Sequence, residues 1–148
     1  MVTHKTQFTF LLLLMLTLAY TGCRSLGIDL GKMSETDAEK TLTKALRTYG
    51  ATIRWGLIGQ AYNFLEPELK AVTKIPDNLD NIKVAHYQVL QSPIMTGEGE
   101  AKTATQSAVI LYVFKDRQVE RKLLDEQAWR YIPEEKIWVR TNPIPEFK

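Results

Sequence analysis

Cysteine and histidine are scarce in this chain, whose 148 residues contain one cysteine, Cys23, and two histidines, His4 and His86. A single cysteine excludes an intramolecular disulfide, so a stable fold must come from a hydrophobic core. Metal sites need several clustered ligands, and His86 alone in the body of the chain does not supply them. We therefore expect no metal and no cofactor, and we expect His86 to be an ordinary strand residue.

The sequence also lacks an apolar run long enough to cross a membrane. Its longest such segment, residues 8–20, has about 13 residues, whereas a spanning helix needs roughly 20. The segment follows a short basic start with Lys5 and precedes the small pair Thr21 and Gly22. This order is typical of an export signal, and it predicts that residues 1–22 are removed.

The residues Thr21, Gly22 and Cys23 resemble the lipobox of bacterial lipoproteins, in which small residues precede an acylated cysteine. The resemblance implies cleavage before Cys23 and acyl chains such as palmitate on its sulfur. Each buried methylene contributes about 0.8 kcal/mol, so more than one chain makes a stable membrane tether. Acylation also removes a thiol that would oxidise in an exported compartment.

The alternative is an ordinary secretory signal with an incidental cysteine. Tyr20 favours that alternative, because an aliphatic residue usually stands there.

An excess of charge of one sign is absent as well. Residues 1–22 contain one basic and no acidic side chain, which leaves 18 basic and 17 acidic side chains in the rest of the chain. This balance argues against a nucleic-acid partner, which selects a net basic surface.

Arg24, and not aspartate, follows Cys23, and the lipoprotein resemblance then implies delivery to the outer membrane, facing the periplasm. We interpret residues 23–33 as a tether and residues 34–148 as one domain.

Helical periodicity comes first within the predicted domain. Ser34 predicts an N-cap, and Gly56 predicts the end of a helix of about five turns. Residues 57–65 predict a second, shorter helix, with Ala61, Phe64 and Leu65 buried, that ends before Pro67. The long helix carries one apolar stripe at steps of three and four: Ala38, Leu42, Ala45, Leu46, Tyr49 and Ile53.

Extended periodicity continues from there to the C-terminus. The stretch 108–114 is apolar on both faces, which predicts a central strand covered on both sides. Alternation in the first strand places Tyr87 on one face with Ala85 and Val89, and residues 97–100 predict a hairpin loop. The fold class is therefore α+β, with N-terminal helices packed on a curved four-stranded antiparallel sheet. The four strands are predicted at residues 82–91, 104–115, 119–131 and 137–140.

Several residues resemble the NTF2-like, or cystatin-like, α+β group. The long helix ends in Arg54, Trp55 and Gly56, Pro67 and Glu68 follow the short helix, and the late strand pair carries Asp125, Glu126, Gln127, Trp129, Tyr131 and Trp138. The resemblance implies a cone-shaped fold with a pocket between helix and sheet. Some members use this pocket for catalysis without metal, and many use it only for binding or assembly. Fold alone does not choose between these functions.

The third predicted strand supplies the candidate site. Asp125, Gln127 and Trp129 alternate along one face, so we expect them to line the pocket, with Tyr87 as the fourth candidate. A carboxylate in an apolar pocket has a raised pKa and can act as a base, as in the ketosteroid-isomerase type of site. Such an enzyme also needs an oxyanion donor, and the sequence does not rank its four candidates, Tyr49, Tyr62, Tyr87 and Tyr112.

The ordinary alternative places Asp125 on a solvated strand face, paired with Arg121 or Arg130. Charged strand positions of this kind outnumber catalytic ones. The leading hypothesis is therefore a non-enzymatic accessory domain that binds an envelope protein or a small apolar ligand. The second hypothesis is a cofactor-free enzyme with Asp125 as its base. A buried Asp125 in a cleft, within hydrogen-bond reach of a tyrosine hydroxyl, would favour the enzyme, and an exposed Asp125 would exclude it.

Overall fold

A capping box begins the long helix in the computed structural model, which describes residues 36–98, 101–117 and 119–148. The helix α1 spans Asp37–Arg54 and has Thr36 as its N-cap. The Thr36 hydroxyl accepts from the backbone N–H of Glu39, and the Glu39 carboxylate accepts from the backbone N–H of Thr36. These bonds satisfy two backbone donors at the helix start. The predicted cap Ser34, the signal, Cys23 and the tether lie outside the described residues.

The predicted apolar stripe of α1 is confirmed. Five of its six residues are buried, and Ala45 is partly buried against the core. The helix stops before Gly56, as predicted, in a Schellman motif: the N–H of Gly56 donates to the carbonyl of Ile53, and the N–H of Leu57 donates to the carbonyl of Thr52. Gly56 has a φ of 75°, a conformation that glycine adopts without steric cost.

The second predicted helix is present but broken. It consists of α2, Ile58–Ala61, followed by a 3-10 turn over Tyr62–Phe64. The segment ends before Pro67, as predicted, and Pro67 begins a further helix, α3, Pro67–Val72, which the sequence prediction missed. Proline suits the first turn of a helix because the backbone N–H that it lacks has no partner there.

Among the described residues, five antiparallel strands form the sheet, one more than predicted. They are β1 Ile82–Val89, β2 Ile94–Thr96, β3 Thr103–Phe114, β4 Glu120–Ile132 and β5 Ile137–Arg140. The order across the sheet is β1-β3-β4-β5, and β2 also pairs with β3. The added β2 has three residues, too few to show an alternating pattern. It pairs with the start of β3, whereas β1 pairs with the remainder, so both lie along one edge of β3.

The prediction of which β1 side chains share a face is wrong in the middle of the strand. The register shifts between Val84 and His86, so Ala85 is an extra residue in a β-bulge. Val84 and Tyr87 are both partly buried against the core, whereas Ala85 is exposed. The bulge changes the alternation by one residue and separates Tyr87 from Ala85.

The central position of β3 is confirmed, but its cover on both sides is not. The inner face packs on the helices through Ala108, Ile110 and Tyr112. On the outer face, Leu124 beside Val109 is 50% exposed, and His86 beside Leu111 is exposed. On this face Val109 is 9% exposed, and Leu111 and Val113 are partly buried.

Aromatic side chains fill the space between α1 and the sheet. Tyr49, Phe64 and Trp129 contact one another edge to face, with ring centroids 5.5 to 6.1 Å apart. Trp138 lies opposite Tyr131, and its indole N–H donates to the carbonyl of Ala38 in α1. Within the described part of the chain, no helix has the length and apolar character needed to span a membrane.

Candidate functional site

Five polar side chains from four elements meet beneath α1, and we call them the buried polar network: Tyr49, Tyr87, Asp125, Gln127 and Arg140. Alternation along β4 directs Asp125 and Gln127 inward together with Trp129, as predicted. Tyr49 comes from the buried stripe of α1, Tyr87 from β1 after the bulge, and Arg140 from the end of β5.

Asp125 is enclosed by this network. Its Oδ2 accepts from the Tyr49 hydroxyl at 2.9 Å and from Gln127 Nε2 at 3.0 Å. Its Oδ1 lies 2.8 Å from Arg140 Nη2. The side chain of Asp125 is 0% exposed and that of Arg140 is 1% exposed. The two charges therefore form a buried, mutually neutralising ion pair.

Arg140 is held by backbone carbonyls as much as by Asp125. Its Nη2 donates to the carbonyls of Glu126 and Pro143, which account for both hydrogens on that nitrogen. Its Nε donates to the carbonyl and side-chain oxygens of Asn142. Oδ1 of Asp125 is consequently close to the guanidinium without an aligned N–H, and the contact is electrostatic more than a directed hydrogen bond.

Tyr49 connects the two charged groups. Its hydroxyl donates to Asp125 and accepts from Arg140 Nη1 at 2.5 Å, and the guanidinium carbon lies 5.2 Å from the ring centroid. Burial raises the pKa of Tyr49 well above its usual value of 10, and the neighbouring Asp125 carboxylate raises it further, while Arg140 opposes the rise. The hydroxyl therefore stays protonated and remains a donor over the physiological pH range.

Gln127 extends the network toward the surface. Its Nε2 donates to Asp125 and, at 2.9 Å, to the hydroxyl of the partly buried Tyr87, and its Oε1 accepts from the indole N–H of Trp129 at 3.2 Å. Burial raises the pKa of Tyr87 to about 12. A side chain on Gly50 would place its Cβ 2.9 Å from the Tyr87 ring, so glycine in α1 makes room for this tyrosine.

The expectation of a solvated Asp125 paired with Arg121 or Arg130 is wrong. Arg130 instead pairs with Glu66 at 2.8 Å on the surface. Arg121 lies over the ring of Phe114, with its guanidinium carbon 5.4 Å from the centroid. Arg130 is five residues from Asp125 along β4 and therefore lies on the opposite face. Arg121 shares the face of Asp125 but is four residues away along the strand. The charged partner of Asp125 comes instead from the neighbouring strand β5.

Of the four candidate tyrosine donors, the structure brings two into the network. Tyr49 contacts Asp125 directly, and Tyr87 contacts it through Gln127. Tyr112 donates to the carbonyl of Lys148, away from Asp125. Tyr62 is buried elsewhere in the core. All four predicted pocket residues thus converge, with only Tyr87 reaching the surface.

Arg140 is the functional residue that the sequence prediction missed. A signal for it was present, because strand alternation places residue 140 on the same side as the large aromatic Trp138. Arginine side chains are mostly exposed in proteins, so this position was not a candidate. A buried arginine demands a carboxylate, and one of the two interpretations of β4 placed Asp125 on the inner face.

The arrangement is suited to holding elements together. It joins α1, β4, β5 and the segment after β5 through charge-assisted hydrogen bonds of Asp125 and Arg140, and β1 through the neutral bond between Gln127 and Tyr87. A base that acts on a substrate must reach it, and the carboxylate of Asp125 has no exposed surface. Among the described residues, no group of three or more His, Cys, Asp or Glu side chains is placed to hold a metal ion.

No family model, curated protein or solved structure matches the chain.

Proposed function

We propose that this chain is a lipid-anchored lipoprotein of the cell envelope, facing the periplasm from the outer membrane, with a non-enzymatic domain that binds or assembles with an envelope protein. The observation that carries the non-enzymatic part is the enclosure of the Asp125–Arg140 pair, whose side chains are 0% and 1% exposed. The carboxylate of Asp125 and the guanidinium of Arg140 make their contacts within the protein.

The anchor is supported by residues of the leader. A short apolar run, the pair Thr21 and Gly22, and the single cysteine at position 23 occur in the order expected for lipid attachment. Arg24 after the cysteine supports release to the outer membrane. The anchor has its own test, which is the covalent state of Cys23 in the mature protein.

We further propose that the domain belongs among NTF2-like or cystatin-like folds. The support is a long N-terminal helix packed against an antiparallel sheet, with α1 contacting both β1 and β5. The space that such a fold reserves for a ligand is filled here by aromatic rings and by the buried polar network. Partner binding is therefore assigned to the surface and not to the helix–sheet interface.

One observation favours the alternative, a cofactor-free enzyme with Asp125 as base. The Tyr49 hydroxyl lies 2.9 Å from the carboxylate, so a base and a hydroxyl donor, the two groups that a ketosteroid-isomerase type of site uses, are neighbours here. Against it stand the ion pair with Arg140 and the lack of exposed carboxylate surface. An enzyme of this kind would have to open α1 from the sheet before each turnover.

A double-mutant cycle on Asp125 and Arg140 distinguishes a structural ion pair from a catalytic Asp125. Asp125→Asn leaves a buried guanidinium without its counter-charge, and Arg140→Met leaves a buried carboxylate, so each single variant should lose about 3–5 kcal/mol in the free energy of unfolding. The double variant should lose clearly less than the sum, because no unpaired charge remains. Urea denaturation followed by circular dichroism measures all three. Complementation of a deletion strain should follow stability and recover in the double variant.

The surface pair offers a matched control. Arg130→Met breaks the ion pair with Glu66, which is partly exposed, and it should cost no more than about 1 kcal/mol. A catalytic Asp125 gives the opposite pattern: Asp125→Asn keeps its stability, and complementation fails in both the single and the double variant.

A further inference from the structure

A second feature lies at the opposite end of α1 from its capping box. There the surface forms an open depression of about 600 Å³ between the C-terminus of α1 and the start of β1. Its lining includes Arg54, Trp55, Asp80, Lys83 and Lys115. We call it the Trp55 depression. The buried polar network contributes no residue to it.

Trp55 is held on the surface by the way α1 ends. It is the C-cap residue, and the Schellman motif around Gly56 fixes the backbone on both sides of it. Its side chain is 76% exposed, whereas the other two tryptophans, Trp129 and Trp138, are 1% and 4% exposed. An indole presented to solvent beside a depression offers a flat apolar face on which a ring can stack.

Positive charge lines the same depression as this indole. Arg54, Lys83 and Lys115 line the depression against one carboxylate, that of Asp80, for a net charge of +2. None of the three cations forms a salt bridge within the described ranges of the chain. Lys115 is held in place, because its Nζ donates to the backbone carbonyl of Asp80 at 2.6 Å. The whole chain carries a net charge of only +2, so this cluster is a local concentration.

The edge strand in the depression disfavours an extended peptide as the occupant. The depression includes the stretch of β1 around Lys83 and the bulged residue Ala85. A bulge and an edge lysine are features that obstruct the addition of another strand. A compact ligand that needs cations and a stacking surface fits the same residues.

We propose that the Trp55 depression binds an anionic saccharide, a sugar whose phosphate contacts Arg54, Lys83 and Lys115 and whose apolar face stacks on Trp55. Lysine and arginine bind phosphate through charge-assisted hydrogen bonds, and the indole adds the selectivity for a ring. The chemistry is the same for a free sugar phosphate and for a phosphosugar carried on a lipid. Binding at the Trp55 depression requires neither the lipid anchor nor the non-catalytic role of Asp125.

The experiment uses the full chain in detergent micelles with glucose 1-phosphate as the probe. Quenching by acrylamide, a neutral quencher, reports mainly on Trp55, since the other tryptophans are buried. Glucose 1-phosphate should protect Trp55 saturably, with a dissociation constant in the millimolar range or below and about tenfold tighter than glucose or inorganic phosphate alone. Added salt should weaken the binding because the site is exposed.

Variants locate the binding. Lys83→Gln with Lys115→Gln should weaken it about tenfold, the equivalent of about 1.4 kcal/mol. The matched control, Lys44→Gln with Lys122→Gln, removes the same charge from exposed positions outside the depression and should leave binding unchanged. Trp55→Leu, followed by calorimetry because the reporter is lost, should abolish the preference for glucose 1-phosphate over inorganic phosphate.

A second arm distinguishes the two sources of the ligand. The chain is reconstituted in phosphatidylcholine vesicles with or without phosphatidylinositol, whose headgroup is a phosphorylated ring. Protection of Trp55 by the soluble probe indicates a free ligand, and protection only by phosphatidylinositol indicates a lipid headgroup. The proposal is overturned by the absence of protection in both arms, by equal affinity for inorganic phosphate, or by an equal loss in the Lys44 and Lys122 control.

Discussion

At the scale of single residues, the central feature is a carboxylate and a guanidinium removed from water together. Alternation alone places Asp125 on one strand face with Gln127 and Trp129, but it leaves a solvated Asp125 as an alternative. The identity of its partner could not be predicted, because Arg140 reaches Asp125 only through the register of β4 with β5. Charge pairing across strands depends on register, which the local sequence does not specify.

The two tyrosines of the network predict how stability depends on alkaline pH. The pKa of Tyr87 rises from 10 to about 12 in the folded protein, chiefly through burial, and that of Tyr49 rises in the same direction. Below pH 10 both states keep the phenol proton, and the stabilising contribution is complete. As pH rises from 10 toward 12 the unfolded state loses the proton first, so the contribution is lost.

Denaturant titrations across this alkaline range measure the effect. The free energy of unfolding should fall from pH 10 upward, and Tyr87→Phe should make that fall shallower because it removes one of the titrating groups. Below pH 10 the difference between the two proteins should be constant. An unchanged slope in Tyr87→Phe would show that this phenol does not contribute.

At the scale of elements, propensity and periodicity predicted the helices and long strands, and tertiary contacts decided the rest. The stripe of α1 and the alternation of β4 follow repeating patterns that many residues share. The bulge at Ala85 involves a single residue and so leaves no repeating pattern in the sequence. It turns Tyr87 inward to the space beside Gly50. The short β2 exists because β3 extends past β1 and offers it an edge.

The end of α1 gives a prediction with a matched control. Gly56→Ala should destabilise the protein by about 1 kcal/mol, because an L-residue adopts its φ of 75° only with strain. A Cβ there meets no atom within 4 Å, so the cost is conformational and not steric. Gly59→Ala, in α2, should be neutral or stabilising, since its Cβ also meets nothing and alanine favours helix. Thermal unfolding compares the two, and equal effects would contradict the Schellman assignment.

At the scale of the whole molecule, the order of elements indicated the α+β class, and Thr36–Lys148 forms one compact unit. The predicted pocket between helix and sheet follows from the resemblance, and large aromatic side chains occupy that space instead. Whether a helix–sheet interface is hollow or filled depends on side-chain volumes summed over distant residues, which periodicity does not report.

The proposed function makes this filled domain a rigid binding unit on a lipid tether. Its network of buried charges stabilises the orientation of α1 on the sheet, and its exposed surface is left for partners and ligands. The tether concentrates the domain at a membrane, where even weak binding becomes effective. In this proposal the location is part of the function.

The most direct test is mass spectrometry of the mature N-terminus of the protein purified from membranes of its native host. We expect a chain that begins at Cys23 and carries acyl groups on it, found in the outer-membrane fraction, while Cys23→Ala remains uncleaved or leaves that fraction. A mature chain with a bare Cys23 thiol in the soluble fraction, or with residues 1–22 still attached, would contradict it.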